Sequence, residues 1–494
     1  MNQPRLPVVI GVGQYLNRVD RGSEPVEPVE LMVEAARLAG ADCEAPAALG
    51  GLEAISVVPV ISWRYFDPGL LVAERLGSDP KETSYGAFGG NTPQLMLNEL
   101  ARAIDAGQLD LALMTGAEAW ITRIGLKRKH ATKPEWTVQP DDLEPTHWLG
   151  GHFEMAHPIE MAQQIFTAPQ CYPLFEQAIR HQAGHSPDQH VDLIAQLWAT
   201  FSSVAATNPY AWDRTAYTAE QIKTPTEGNR MIAYPYTKHM VANSNVEMGA
   251  AVLVASAARA AELGVPKDKW VFLRSGTDGK DVQYMSNRAD FHSSPAMRIA
   301  GRRVLELAGT TADELAHVDL YSCFPSAVEL AAAEIGFGLD RPLTVYGGLC
   351  FAGGPWNNPV THAVATMTQK LREDPGTMGL VTANGGVIGK HAFGVYSTQP
   401  PPAGFSYDQP QDEIDTHPTR EVTDEHVGAV SIETYTVMYE RDGSRARAHA
   451  ACLTPEGVRA WAVSEDDDLM RALEADDMCG RPARIGPDRS LLLD

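Results

Sequence analysis

The sequence predicts an α/β protein made of two similar halves, with a long segment inserted between them and a β module added at the end. Three observations carry that prediction. A strand, turn, helix and strand at 85–116, "YGAFGGNTPQLMLNELARAIDAGQLDLALMTG", are echoed at 346–385, "YGGLCFAGGPWNNPVTHAVATMTQKLREDPGTMGLVTANG". Each copy runs Tyr-Gly, a glycine turn with Asn and Pro, an amphipathic helix, a Gly stop and a short apolar strand of the buried parallel kind. The segments upstream repeat as well: "PVVIGVGQ" then "PVELMVEAARLAG" in the first half, "VDLYSCF" then "PSAVELAAAEIG" in the second. Finally, "GAVSIETYTVMYERDGSRARAHAACLT" alternates residue by residue around Asp442-Gly443, which is a hairpin signal.

Taken in order, the first half covers 1–120 and returns at 246–270, where "MGAAVLVASAARAAELG" reads as a core strand and helix. The insertion, 121–245, is rich in His, Trp and Tyr and carries helical patterns such as "SPDQHVDLIAQLWATFSSVAAT". The second half spans 271–398. The stretch 399–424 is Pro-rich, acidic and nearly without period, so it reads as a linker. Residues 425–494 are expected to form an antiparallel β barrel or sandwich, with Val430, Ile432, Thr434 and Thr436 on one face.

A chain of 494 residues exceeds one ordinary core. Its net charge of −23 argues against nucleic acid and against an anionic membrane surface. A local basic run at 123–133, "RIGLKRKHATK", remains able to meet an anionic ligand. The longest apolar run is too short to span a bilayer. The start "MNQPRLPVVIGVGQ" lacks the apolar core of a signal peptide. Six scattered cysteines, with no C-x-x-C pair, read as reduced thiols, so a cytoplasmic location is expected. "GVGQ" lacks the third glycine of a dinucleotide fingerprint. Asp466, Asp467 and Asp468 read as the acidic first turn of a helix, so no metal site is expected.

The turn at 85–93 raises a chemical question. A helix N-terminus offers unpaired N–H groups and partial positive charge, where a thiolate or oxyanion would be placed. Yet no Cys, Ser or Lys stands at the turn itself.

The paired halves, the inserted segment and these turns together resemble the thiolase superfamily, near its sterol-carrier-type branch. The stretch "NPYAW…NRMIAYPYTKHMVANSNVEMGAAVLVAS" with a β-rich tail is similar to the thiolase-like protein type 1 family. The resemblance covers about 5–398 for the thiolase part. It implies a thiolase fold, two α/β halves layered αβαβα with two mixed sheets, carrying a loop domain at 121–245 and a C-terminal β barrel. It also implies where the chemistry would sit. The nucleophilic Cys position falls on Gly90, or on Gly89 with a slip of one. The oxyanion-binding stretch is Tyr321-Ser322-Cys323-Phe324. The activating His of Gly-His-Pro falls on Gly354, and the Cys that moves the α-proton on Asn384. Claisen chemistry needs a thiolate and two bases. Glycine supplies neither, and an Asn side chain accepts no proton near pH 7. The glycine N–H groups and the helix start remain to bind an oxygen.

The remaining candidates are His391, Tyr321 and Cys350. His391, in "GKHAFGVYS", is the best surviving general base, though it reads as a satisfied structural histidine first. Tyr321 either donates from its hydroxyl or plugs the space. Cys350, in an apolar stretch, reads as a core thiol before it reads as a rescued nucleophile. Cys323 reads as packing, and Tyr346 as a strand cap. Ser244 matches a thiolase Ser near the pantetheine tunnel. Ser244, Gly90, Asn91, Gly354, Asn384 and Gly386 are therefore expected to bind CoA or an acyl-CoA, with no covalent cofactor and no thiolysis. The competing expectation is an altered enzyme, a transferase or retro-aldol lyase using Tyr321, His391 or Cys350. Thiolase relatives commonly dimerise through the strand before the nucleophile turn. Here that strand is "ETSYGAF", broken by Gly86, which leaves monomer and homodimer both open.

Overall fold

The computed structural model describes residues 5–128, 134–151 and 154–493. Part of the basic run at 123–133 therefore lies outside the described residues.

In the N-terminal half, β1 (Pro7–Leu16) leads to α1 (Pro28–Asp42), then β2 (Ala54–Val57), α2 (Pro68–Leu76) and β3 (Glu82–Gly86). The long amphipathic α3 (Thr92–Asp105) follows, and then β4 (Leu111–Ala119). Local rules set these boundaries: Asp67 caps α2 by accepting from the Leu70 N–H, and Gly77 ends it in the left-handed region. The inserted segment carries α4 (Ala168–Gln182) and α5 (Pro187–Thr207), and the chain returns through β5 (Glu247–Ser256). The C-terminal half comprises β6 (Val271–Lys280), α6 (Pro295–Ala308), β7 (His317–Asp319), α7 (Pro325–Ile335), α8 (Pro359–Glu373), β8 (Met378–Gly385) and β9 (Lys390–Ser397).

The internal repeat is visible in strand order and sense. The first half runs β3-β2-β4-β5-β1, and the second runs β7-β8-β9-β6. In both, a parallel pair (β2 with β4, β7 with β8) is followed by two antiparallel pairings. Helices α3 and α8 contact strands of both half-sheets and form the middle layer. Helices α1 and α2 cover the outer face of the first half-sheet, and α6 that of the second. The expected pair of separate sheets needs one correction. Val8 pairs with Phe272 and Val9 with Val271, so β1 and β6 knit the half-sheets into one eleven-stranded ladder.

Two further features differ from the sequence reading. The edge of β3 is taken by the chain itself: Ser84, Tyr85 and Gly86 pair with His147, Trp148 and Leu149. The Pro-rich linker is fastened to the body. Ser406–Asp408 adds a strand beside β6, the Tyr407 hydroxyl donates to Asp278 at 2.9 Å, and the Gln411 side chain exchanges two 2.9 Å hydrogen bonds with the Lys280 backbone.

The tail forms a second sheet from β10 (Gly428–Tyr439), β11 (Arg445–Leu453), β12 (Arg459–Ser464) and β13 (Pro482–Ile485), with α9 (Asp467–Ala475) packed on it. The β10–β11 hairpin turns at Asp442-Gly443, with Gly443 at φ +89°. Asp466 caps α9, accepting from the Leu469 N–H at 2.8 Å. The expected single face of β10 does not hold, because a bulge between Ile432 and Thr434 shifts the register. Before it, Val430 and Ile432 face the tail core; after it, Tyr435 and Val437 do. Thr434 and Thr436 turn to the body, donating to the carbonyls of Leu174 and Tyr234. The sheet also borrows Met231–Ala233 and Tyr236–Thr237 from the inserted segment. Its edges approach each other through a bridge between Val463 and Ser490, and the described residues form a curled sheet without a continuous closing ladder.

Candidate functional site

The turn before α3 is filled. A Cβ built on Gly90 would lie 2.6 Å from the Asn384 carbonyl oxygen and 2.7 Å from Tyr321 Cζ, with Tyr321 Oη closer still. Tyr321 follows β7 and is anchored by its own N–H, which donates to Thr382 Oγ1 at 2.9 Å. Burial, and then the neighbouring Cys323, push its phenol well above the usual tyrosine range. The hydroxyl therefore stays protonated and stands where a side chain on Gly90 would begin.

The glycine amides read as an oxygen-binding seat are partly spent inside the protein. Gly89 N–H donates to Asn357 Oδ1 at 2.9 Å, Thr92 N–H to the Gly89 carbonyl at 3.1 Å, and Gly354 N–H to the Asn243 carbonyl at 2.9 Å. Asn91 precedes α3 with its Oδ1 buried and without a hydrogen-bond partner.

Asn384 and His391 are paired across β8 and β9. With Tyr321 and Thr382 they line a closed void of about 10 Å³, room for one water at most. Asn384 Nδ2 donates to Tyr172 Oη at 3.0 Å, and Tyr172 Oη donates to the Gly386 carbonyl at 3.2 Å. Tyr172 comes from α4 of the inserted segment and stacks on Phe324, ring centroids 4.4 Å apart. His391 is held on its far side: Nε2 lies 3.3 Å from the Ile388 carbonyl and 3.5 Å from Asp281 Oδ2. Burial alone would raise the Asp281 pKa, but Arg288 at 3.2 Å, His391 and Ser294 outweigh it and hold the carboxyl far below the usual range. The arrangement is a buried carboxylate, an imidazole and a phenol in one file.

Neither leftover cysteine is poised as a thiolate. Cys350 lies in a single π-helical turn at Gly348–Ala352, where burial raises its pKa and its thiol reaches the His239 carbonyl at 2.8 Å. Burial pushes Cys323 up to about 12, against hydrogen bonds from Tyr172 and Asn384.

A solved structure of a monomeric SCP2-thiolase-like protein type 1 from Mycobacterium smegmatis is similar to this chain over its whole length. The identity is 32%, the TM-score 0.85, and 100% of each chain is covered. The chain belongs to the SCP2-thiolase-like protein type 1 family. The family model for the thiolase-like protein type 1 additional C-terminal domain matches residues 410–490, the fastened linker and the tail sheet. More distant structures share the fold alone. An Ltp2–ChsH2(DUF35) aldolase matches at 18% identity and TM-score 0.61, covering 80% of this chain and 98% of its own. The dimeric peroxisomal thiolase of Saccharomyces cerevisiae matches at 14% and 0.57, covering 81% and 99%.

In this SCP2-thiolase-like protein the other predicted positions form a second group beside the first. Ser244 is half-buried in a segment whose neighbours are tied down by backbone bonds: Ala242 N–H to the Cys323 carbonyl and Asn243 N–H to the Leu349 carbonyl, both 3.0 Å. Gly354 packs against the same segment, and a Cβ there would meet Ala242 and Leu349 at only 3.4–3.5 Å. So the side-chain space at Gly90 is occupied by a neighbour, while that at Gly354 is bounded at ordinary contact distance. An open cleft of about 410 Å³ lies on the inserted segment, lined by Tyr217, Gln221, Asn229 and His239. His239 is the residue whose carbonyl takes the Cys350 thiol.

Three residues of the site carry no sequence signal strong enough to find them. Tyr172 reaches Asn384, a wall of the void, from a helix of the distant inserted segment. Asp281 ends its strand as an ordinary acidic residue. Lys390 stands beside the more conspicuous His391, yet it is 5% exposed and donates to the Phe88 carbonyl beside the glycine turn. Burial, and then Lys280, lower its pKa to about 8. Among the described residues, no helix is long and apolar enough to cross a membrane.

Proposed function

We propose that this protein binds CoA or an acyl-CoA and performs neither thiolysis nor Claisen condensation. The observation that carries this reading is the filled turn, where Tyr321 and the Asn384 carbonyl occupy the space of a side chain on Gly90. Gly354 brings no imidazole and Asn384 no thiol, so three roles are missing together. Binding is supported by the cleft beside His239 and by the half-buried Ser244 segment that adjoins Gly354. A monomer is favoured because the β3 edge is already paired within the chain. All six cysteines are free and buried, which suits a reducing cytoplasm.

The test is incubation with acetyl-CoA and acetoacetyl-CoA, followed by intact mass, a thiolysis assay and thermal shift. The expected result is no adduct and no turnover, with a rise in Tm on adding CoA. A stable acetyl adduct on any cysteine, or CoA-dependent cleavage, overturns the reading.

One observation favours a second reading, a transferase or retro-aldol lyase. Asp281, His391 and Tyr321 form a file of acid–base groups ending at the void. Cleavage of a β-hydroxyacyl-CoA that is lost in both His391→Ala and Tyr321→Phe would support it. No cleavage by the wild type would end it.

A further inference from the structure

A second buried polar cluster lies where the inserted segment meets the C-terminal half. It joins Glu176 of α4, His190 of α5 and Glu329 of α7, which are 0%, 1% and 8% exposed. His190 Nε2 lies 2.5 Å from Glu176 Oε1 and 3.7 Å from Glu329 Oε2. The other oxygen of Glu176 accepts from the Tyr236 hydroxyl at 2.5 Å. The ion pairs of both carboxylates are with His190 alone, and among the described residues no Lys or Arg pairs with either. Two carboxylates in one dry site repel strongly unless a positive group or a proton stands between them.

Two further details point to a ligand. Glu329 Oε2 is buried without a hydrogen-bond partner and faces the cluster. His190 uses its other ring nitrogen elsewhere: Nδ1 lies 3.3 Å from Nδ1 of the half-buried His185. An outer hydrogen bond of that kind fixes the tautomer and leaves Nε2 to bind a metal.

We infer that Glu176, His190 and Glu329 form a binding site for a divalent cation, with zinc the ion that fits best. Zinc takes imidazole and carboxylate ligands at about 2.0–2.2 Å in tetrahedral array, which sets ligand atoms roughly 3.3 Å apart. The separations of 2.5 and 3.7 Å bracket that value, so a small adjustment of two side chains suffices. Two carboxylates with one neutral imidazole also balance a charge of +2. The fourth position falls to water or to the Tyr236 hydroxyl. The ion would tie the α4–α5 hairpin to α7, the helix that directly follows Tyr321–Phe324, and so brace the filled turn from behind.

The competing occupant is a proton shared between Glu176 and Glu329. Glu329→Gln separates the two, since the amide can replace the protonated carboxyl but gives up a charge on the metal. The full-length protein is stripped with a chelator, dialysed and titrated with zinc chloride by calorimetry, with thermal shift alongside and manganese as comparison. The expected result is one zinc per wild-type chain beyond that bound by Glu329→Gln, with affinity in the variant lowered at least about tenfold. The zinc-dependent rise in Tm should vanish in the variant while its metal-free Tm is kept. Equal zinc affinity and stoichiometry in the two proteins overturns the site. So does a stripped wild type that takes up neither zinc nor cobalt(II), which requires no variant at all.

Discussion

Replacing Gly90 by Ala should destabilise the protein by about 2–3 kcal/mol, the upper part of the range for overpacking a filled core. The added methyl would sit 2.6 Å from the Asn384 carbonyl and 2.7 Å from Tyr321 Cζ. Unstrained carbon contacts lie near 3.5–4.0 Å, so something must move by close to an ångström. The carbonyl belongs to β8, which is paired on both sides. The Tyr321 ring faces a void of about 10 Å³ and its backbone is anchored to Thr382, so its retreat is short. Removing the ring relieves two of the three close contacts. In a Tyr321→Ala background the same Gly90→Ala change should therefore cost only about 1 kcal/mol, a coupling of roughly 1–2 kcal/mol between the sites. Gly354→Ala is the control: its methyl meets neighbours at 3.4–3.5 Å and should stay within about 0.5 kcal/mol of wild type. Urea unfolding monitored by tryptophan fluorescence and by far-UV circular dichroism measures wild type, the three single variants and the double variant. A neutral Gly90→Ala, a penalty unchanged by Tyr321→Ala, or a Gly354→Ala as costly as Gly90→Ala would each refute the claim that Tyr321 fills the side-chain space at Gly90.

Three other outcomes follow from the same geometry. Asp281→Asn should lose about 3 kcal/mol or more at pH 7, because Arg288 and His391 are left beside a neutral group in a buried site. The Asp281 pKa is depressed in the folded state, so its contribution is present above the unfolded value of 3.8 and fades as the pH falls below it. A wild-type-to-variant difference that stays constant from pH 7 to pH 3 would contradict this. For Lys390 the slope has the same sign in a different window, because its pKa too is lowered on folding: between about 8 and 10.5 the unfolded chain holds the proton and the folded chain does not, so wild type should gain stability relative to Lys390→Met as the pH rises through that window. A flat difference there would show that Lys390 titrates normally. In solution the chain should scatter light as a monomer of 53.6 kDa, since the β3 edge is occupied by His147–Leu149; a stable dimer would require that strand to peel away.

The sequence by itself determined the repeat, the order of elements and the added tail. Those features are local or periodic: glycine turns, Pro at helix starts, apolar strands ending in Gly, and the Asp442-Gly443 hairpin each declare themselves over a few residues. It also showed that Gly90 and Gly354 carry no functional side chain and Asn384 no thiol, because absence of a functional group needs no coordinates. Only the tertiary structure decided what surrounds them. Gly90 and Gly354 look alike as letters, yet one is overlain by Tyr321, distant in the chain, and the other has neighbours only at ordinary contact distance. The bulge after Ile432 reversed a face that strict alternation predicted, since one extra residue changes the parity of a strand. The β3 edge, open by its sequence, is closed by a three-residue strand too short to register as a pattern. The pairing of His391 with Asp281, and of Glu176 with His190 and Glu329, brings together groups from separate elements. Such contacts depend on how helices and strands cross, and chain-local propensities carry no record of that.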